Sequence, residues 1–132
     1  MTGLFVDTSA WYALLDRRDP EHEPVAAAVR AHRGRLVASD YILDEAVTLV
    51  RYRLGWPLAH RLGAGLRSGD LARLVRVLPT DLDAAWLLFT ERQDQRLSFT
   101  DCTSFALMTR LKLSTAIALD QDFRAMGWMV LP

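Results

Sequence analysis

Four acidic residues stand where their side chains could act together in chemistry: Asp7, Glu45, Asp101 and Asp120. Asp7 and Asp120 each directly follow a short apolar run that is typical of a buried strand. In open α/β sheets ligands bind at the carboxyl ends of the strands, so acids that follow strands lie where chemistry takes place. The other two acids belong to segments with helical periodicity.

The angular positions of these helical acids can be worked out at about 100° per residue. Glu45 falls beside Leu49, at the border of the apolar stripe, whereas its neighbour Asp44 falls on the polar side. Asp101 lies within the apolar stripe of its own segment, near the predicted helix N-terminus. We therefore expect Glu45 and Asp101 to be partly buried and Asp44 to be exposed.

Each acid also has a structural interpretation when it is taken singly. Asp7 would be a turn residue, Glu45 a rim carboxylate bonded to a tyrosine, Asp101 a helix-end acid and Asp120 the start of an Asx-turn. If all four acids converge within about 5 Å, the repulsion between each pair of negative charges costs roughly 3 kcal/mol. The summed repulsion then exceeds the free energy of unfolding of a small domain. Either protons are shared among the acids or a hard divalent cation binds, and oxygen ligands alone suit Mg²⁺ or Mn²⁺.

The elements that must position these acids alternate along the chain between strands and helices. This alternation predicts an α/β domain with a mostly parallel sheet that is covered on both faces. We expect Thr80 and Thr100 to be helix N-caps, and either Ser39 or Asp40 to cap the helix that carries Glu45. The predicted strands are 4–6, 35–39, 74–78, 114–119 and 128–131; the predicted helices are 10–15, 24–32, 40–54, 58–67, 81–93, 101–111 and 122–126.

Length and composition exclude several classes of protein. The chain has 132 residues, which fit one domain, and its single cysteine, Cys102, excludes a disulfide framework. No apolar stretch is long enough to span a membrane and no signal peptide is recognisable, so we expect a cytoplasmic protein. The 16 basic and 16 acidic residues balance, which argues against nucleic-acid binding by bulk charge.

The acids and their flanking residues resemble the PIN-domain family and, more narrowly, the VapC-type toxins. No single segment is specific, but the set covers the whole chain in the family's order. The segments are Leu-Phe-Val-Asp7-Thr-Ser-Ala-Trp, Tyr-Ile-Leu-Asp-Glu45-Ala-Val, Leu-Ser-Phe-Thr-Asp101-Cys-Thr-Ser-Phe-Ala-Leu and Ala-Leu-Asp120-Gln-Asp-Phe followed by Gly127 and Val-Leu-Pro132.

The resemblance implies a three-layer α/β/α sandwich formed by a single catalytic domain over residues 1–132. It also implies a metal-dependent endoribonuclease, the toxin of a type II toxin–antitoxin system, that cuts tRNA or rRNA to leave 5′-phosphate and 3′-hydroxyl ends. Asp7 and Asp101 would be the principal ligands of Mg²⁺ or Mn²⁺, Glu45 and Asp120 would complete the catalytic site, and Ser9 would assist through its hydroxyl. The implied partners are RNA, a VapB-type antitoxin and a second copy of the chain.

Two departures from the family pattern concern the closing segment. Ala118 stands where the family often has a threonine, and Asp122 could share or replace the role of Asp120. Two other functions stay open: a degenerate PIN domain that binds RNA or a partner without catalysis, and a receiver-like Mg²⁺-binding regulatory domain. The best basic candidates for contact with RNA or an antitoxin are Arg17, Arg18, Arg51 and Arg53.

Overall fold

A parallel five-stranded sheet forms the centre of the computed structural model, which describes residues 3–132. The strand order is β3-β2-β1-β4-β5, and every pair within the described chain is parallel. Phe5 of β1 lies opposite Val37 of β2 on one side and Ala116 of β4 on the other. The strands are β1 Leu4–Val6, β2 Leu36–Ser39, β3 Arg73–Val75, β4 Thr115–Ile117 and β5 Met129–Leu131.

Helices connect the strands and cover the sheet, as parallel crossovers require. The predicted α/β class with a parallel sheet flanked by helices is therefore confirmed. Within residues 3–132, no helix is both long and apolar enough to cross a membrane. The helices are α1 Thr8–Leu15, α2 His22–Ala31, α3 Asp40–Leu54, α4 Trp56–Ser68, α5 Pro79–Glu91, α6 Phe99–Leu111 and α7 Asp122–Ala125.

The core lies around β1, whose three residues are all buried. A cluster of aromatic rings joins this strand to α6 and α7: Phe5 and Phe123 lie 6.3 Å apart, and Phe105 meets Phe123 edge-on at 4.8 Å. Such aromatic pairs are favourable beyond the area they bury. The end of β1 and the start of α6 are thus held against one packed core.

Helix α5 begins at Pro79 with Leu78 as N-cap, so the predicted cap at Thr80 is wrong. Proline is pre-organised for the first helical position, and an oxygen of Asp81 accepts a hydrogen bond from the Leu78 N–H at 2.9 Å. The same carboxylate is buried and accepts hydrogen bonds from Nε and Nη2 of Arg110, each at 2.9 Å. This ion pair ties α5 to α6.

Helix α6 begins at Phe99 with Ser98 as N-cap, so the predicted cap at Thr100 is also wrong. Ser98 Oγ accepts from the N–H of Asp101 at 3.0 Å, and Asp101 Oδ2 accepts from the N–H of Ser98 at 3.1 Å. This reciprocal pair is a capping box, which satisfies two helix-end donors at once.

The strand predicted over 74–78 is shorter in the structure, where β3 ends at Val75. The N–H of Val77 donates to Oδ1 of Asp40 at 2.9 Å instead of to a neighbouring strand.

Candidate functional site

The site lies at the carboxyl edge of the sheet, between β1 and β4. From β1 the chain continues outward through β2 and β3 on one side, and only later adds β4 and β5 on the other, so this is the point where the strand order reverses. Asp7 directly follows β1 and is 3% exposed. Asp120 follows β4 after two intervening residues. The sheet therefore places the two strand-end acids on either side of a natural binding crevice.

Ser9 fixes the side chain of Asp7 and links it to the segment after β4. Asp7 is the N-cap of α1, and its Oδ2 accepts from the N–H of Ser9 at 3.3 Å and from Ser9 Oγ at 2.8 Å. Ser9 Oγ in turn accepts from the N–H of Leu119 at 3.0 Å. Ala118 brings no hydroxyl to this part of the site, but the hydroxyl of Ser9 lies beside the segment that follows β4.

Glu45 lies on the second turn of α3, half-buried, while Asp44 is exposed as the helical periodicity predicts. Its Oε1 accepts a hydrogen bond from Oγ1 of Thr8, a buried residue, rather than from a tyrosine. Thr8 is a residue that the sequence analysis did not single out. The available signal was the pair of consecutive hydroxyl residues that follows Asp7.

Asp101 serves in the capping box of α6, so the structural interpretation of this acid is present in the fold. That role occupies Oδ2 alone. Within the described residues, Oδ1 accepts no hydrogen bond, although the residue is only 8% exposed. This carboxylate oxygen reaches the surface without a protein partner, so it remains available for a ligand.

Asp120 lies exposed at the rim of a crevice of about 580 Å³ that Arg124 also lines. Its Oδ1 accepts from the N–H of Asp122 at 3.1 Å, which is the Asx-turn that the sequence allows. Asp122 itself is the first residue of α7, whose N-cap is Gln121. The charges that act on Asp7 and Asp101 include that of Asp120.

The four acids form one electrostatic cluster. Burial raises the pKa of Asp7 to about 6 against the lowering effect of Ser9, and the charges of Asp120 and Glu45 raise it further. Burial raises the pKa of Asp101 to about 7, and the charges of Asp7 and Asp120 act in the same direction. Desolvation and the neighbouring carboxylates likewise raise the pKa of Asp120. Full ionisation of this cluster needs a positive charge to offset it.

The chemistry of the donors fits a hard divalent cation. The cluster offers carboxylate and hydroxyl oxygens, which suit Mg²⁺ or Mn²⁺ rather than a metal that prefers thiolate or imidazole ligands. Asp101 Oδ1, which accepts no hydrogen bond within the described residues, is an oxygen that such an ion could use. In the described range 3–132, however, no three acidic, histidine or cysteine side chains are close enough to hold one ion together.

Comparisons with known proteins identify the family of the chain. The family model for the PIN domain matches residues 4–129. The 23S rRNA-specific endonuclease VapC20 of Mycobacterium tuberculosis, strains CDC 1551 and H37Rv, is 33% identical over 129 residues, which cover 96% of this chain and 95% of the relative. Ribonuclease VapC26 of strain H37Rv is 28% identical over 118 residues, with 89% and 87% covered.

One solved structure is similar to nearly the entire molecule. The crystal structure of Mycobacterium tuberculosis VapC20, described as a toxin that cleaves the sarcin–ricin loop, superimposes with a TM-score of 0.92 at 32% identity. The match covers 98% of this chain and 99% of that one. The likeness therefore extends over nearly the whole fold.

Proposed function

Since the chain belongs to the PIN-domain family, we propose that it is a metal-dependent endoribonuclease and the toxin of a toxin–antitoxin pair. Its nuclease class is that of its relatives. The observation that carries the proposal is the cluster of four acids at the crevice, in which the pKa of Asp7 is raised to about 6 and that of Asp101 to about 7. Residues 1–132 would act as one catalytic domain in the cytoplasm; residues 1 and 2 lie outside the described residues.

A cation would draw the acids closer together than they lie without it, with Asp7 and Asp101 as principal ligands and Glu45 and Asp120 completing the site. A bound Mg²⁺ or Mn²⁺ would supply positive charge that polarises a phosphodiester and favours ionisation of an attacking water. The water oxygen forms a new bond to phosphorus and the P–O3′ bond breaks, which leaves a 5′-phosphate and a 3′-hydroxyl.

The chain's own residues supply the positioning. Ser9 orients the carboxylate of Asp7, and Thr8 orients that of Glu45. The capping box orients Asp101 through its Oδ2 and leaves its Oδ1 without a hydrogen bond. Such hydrogen bonds hold the carboxylates in place before the cation and the substrate arrive.

A ribosomal or transfer RNA is the proposed substrate, and the name of one relative, an endonuclease specific for 23S rRNA, supports the ribosomal one. A folded RNA loop exposes single phosphates and unpaired bases, which are the features that proteins recognise in RNA. Net neutrality of the chain agrees with recognition through a bound cation and local basic residues rather than through bulk charge.

Cleavage of RNA by the purified chain tests the proposal. We expect strand scission in Mg²⁺ or Mn²⁺, no scission in EDTA, and 5′-phosphate ends on the products. Ca²⁺ serves as a control cation that binds oxygen ligands but favours a looser geometry. Scission that persists in EDTA would exclude this mechanism.

Two alternative functions make different predictions. A degenerate domain that only binds RNA would show no scission and no quenching of tryptophan fluorescence on titration with Mn²⁺; the complete set of acids favours catalysis. A receiver-like domain would need a lysine beside the acids. The sole lysine, Lys112, directly precedes the segment that leads into β4 and so lies at the amino edge of the sheet, opposite the acids.

Two protein partners belong to the proposal. The description of the solved relative as a toxin supports a VapB-type antitoxin as one partner. A second copy of the chain is the other.

Helix α5 supports a homodimer, because it exposes three large apolar side chains: Trp86 at 61%, Leu87 at 57% and Phe89 at 41%. The rings of Trp86 and Phe89 stack on each other at 5.7 Å rather than entering the core.

Sedimentation equilibrium tests the homodimer. We expect the purified chain to sediment as a dimer and Trp86→Lys to sediment as a monomer, because a charge at the centre of an apolar interface is costly to bury. Trp56→Lys is the matched control, since Trp56 is a tryptophan exposed at 56% on another helix. A monomeric wild-type chain, or equal weakening by both substitutions, would contradict the placement of the interface on α5.

A further inference from the structure

A groove of about 400 Å³ opens beside Glu45, along the outer side of α3 and towards the start of α6. Its walls include Thr48, Tyr52, Arg53 and Thr100. It is separate from the crevice around Asp120 but shares the border of the acid cluster through Glu45. A strand of RNA whose phosphate is held at the acids could continue into this groove.

Arg53 is the cation of the groove, and the fold holds it in place without neutralising it. Its guanidinium lies 5.4 Å from the centroid of the Tyr12 ring, within the range of a cation–π contact. The hydroxyl of Tyr12 donates to Oδ2 of Asp16 at 2.8 Å, which fixes the ring. Within residues 3–132, no carboxylate lies within 4 Å of the Arg53 guanidinium. The exposed charge is thus oriented yet free to bind an anion.

We propose that Arg53 binds a backbone phosphate of the RNA substrate at a subsite next to the cleaved bond, and this inference rests on the proposed function. Arg53 follows Glu45 by eight residues on one helix, or about 12 Å along its axis. That separation assigns it to a neighbouring phosphate rather than to the one that is cut. A guanidinium suits this role because its planar fork can donate two parallel hydrogen bonds to a phosphate.

Tyr12 is a positioning residue in this subsite, since it acts on the substrate through Arg53. Its ring limits the conformations of a long, exposed side chain, so less entropy is lost when the guanidinium meets the phosphate. Arg51 lies two residues earlier on the same helix, but it lines a different groove of about 660 Å³ with Trp56 and His60. The assignment therefore concerns Arg53 and not the arginines of α3 in general.

Binding of a fluorescein-labelled single-stranded RNA of twelve nucleotides tests the subsite, measured by anisotropy in Ca²⁺, the control cation, so that the acid site is occupied. For Arg53→Gln we expect about tenfold weaker binding, as for loss of a hydrogen bond to a charged group. The slope of log affinity against log salt should fall by about 0.7, the value for one phosphate contact on a single strand. Arg73→Gln is the matched control, because Arg73 is exposed at the start of β3, on the amino edge of the sheet.

Methylphosphonate substitution of the RNA, one phosphate at a time, then identifies the contact. With the wild-type chain, one position should weaken binding about tenfold; with Arg53→Gln, that position should have no effect. Tyr12→Leu should reproduce part of the loss. Tyr12→Phe keeps the ring beneath the guanidinium but loses the bond to Asp16, so it should retain more of the affinity than Tyr12→Leu.

The outcomes separate this inference from the proposed function. If the wild-type chain cleaves RNA in Mg²⁺ but Arg53→Gln keeps the wild-type salt slope and the full methylphosphonate profile, the subsite is excluded and the nuclease stands. If the wild-type chain neither binds nor cleaves RNA, the proposed function fails, and the subsite fails with it.

Discussion

Asp101→Asn is expected to abolish metal-dependent cleavage of RNA while leaving the chain folded. Asparagine keeps the shape of the side chain and a carbonyl oxygen that can still accept from the N–H of Ser98, so the capping box survives. It loses the charge that would bind the cation. Removal of one such electrostatic contribution typically lowers a rate by about 10²- to 10³-fold. Single-turnover cleavage in Mn²⁺ measures the effect.

The same substitution should stabilise the protein in the absence of metal. Burial and the charges of Asp7 and Asp120 raise the pKa of Asp101 to about 7, so its ionised form is unfavourable in the empty cluster. A neutral amide removes that cost, which is a common relation between stability and function at active sites. In EDTA at pH 8 we expect a higher Tm for Asp101→Asn than for the wild type. Mn²⁺ should raise the Tm of the wild type, and raise that of the variant much less.

Asp70→Asn is the matched control, because Asp70 is an exposed acid far from the crevice, between α4 and β3. It should leave both the cleavage rate and the Tm unchanged. If Asp101→Asn cleaves RNA at the wild-type rate, Asp101 has no role in the site. A variant that unfolds in EDTA would instead show that the capping role of the carboxylate exceeds the repulsion it suffers.

The wild-type protein without metal is expected to lose stability as the pH rises from about 4 to about 7. The folded-state pKa values of Asp7 and Asp101, about 6 and about 7, lie above the ordinary value of 3.8. Between those limits the folded state binds protons that the unfolded state has already released. The free energy of unfolding then falls by about 1.4 kcal/mol per pH unit for each such group, and becomes level above the folded pKa values.

Urea unfolding in EDTA at pH 5, 6, 7 and 8 measures this dependence. The double variant Asp7→Asn, Asp101→Asn is the control, since it lacks both groups and should show a much flatter profile. Saturating Mn²⁺ should restore the stability of the wild type most strongly at pH 8, where the cluster is most fully ionised. Stability of the wild type that is constant or that rises between pH 5 and pH 7 would contradict the electrostatic description of the cluster.

The sequence was sufficient to predict the elements that position the site, and the predicted family and fold class are confirmed. Apolar runs that end at an acid or a cap marked β1 and β2 well, because strands buried on both faces are nearly continuous in apolar residues. Helix starts were harder to predict. Thr100 and Ser98 are both good N-caps, and only the return bond from Asp101 selects Ser98.

The candidate site was predictable in outline and not in its contacts. Helical periodicity predicted a half-buried Glu45 beside an exposed Asp44, as the structure has them. The bond from Thr8 to Glu45 joins residues 37 apart, and it depends on how α1 packs against α3. No local pattern contains that information. The catalytic and metal-binding roles of the four acids stay predictions until the experiments above are carried out.

The position of β1 in the middle of the sheet has a consequence for how the protein is made. One neighbour of β1 is β2, which follows within 40 residues, but the other is β4 at Thr115–Ile117. A growing chain on the ribosome cannot complete the sheet, or bring Asp101 and Asp120 to Asp7, before that late strand has emerged. A nascent chain therefore cannot hold the four acids together until β4 has emerged.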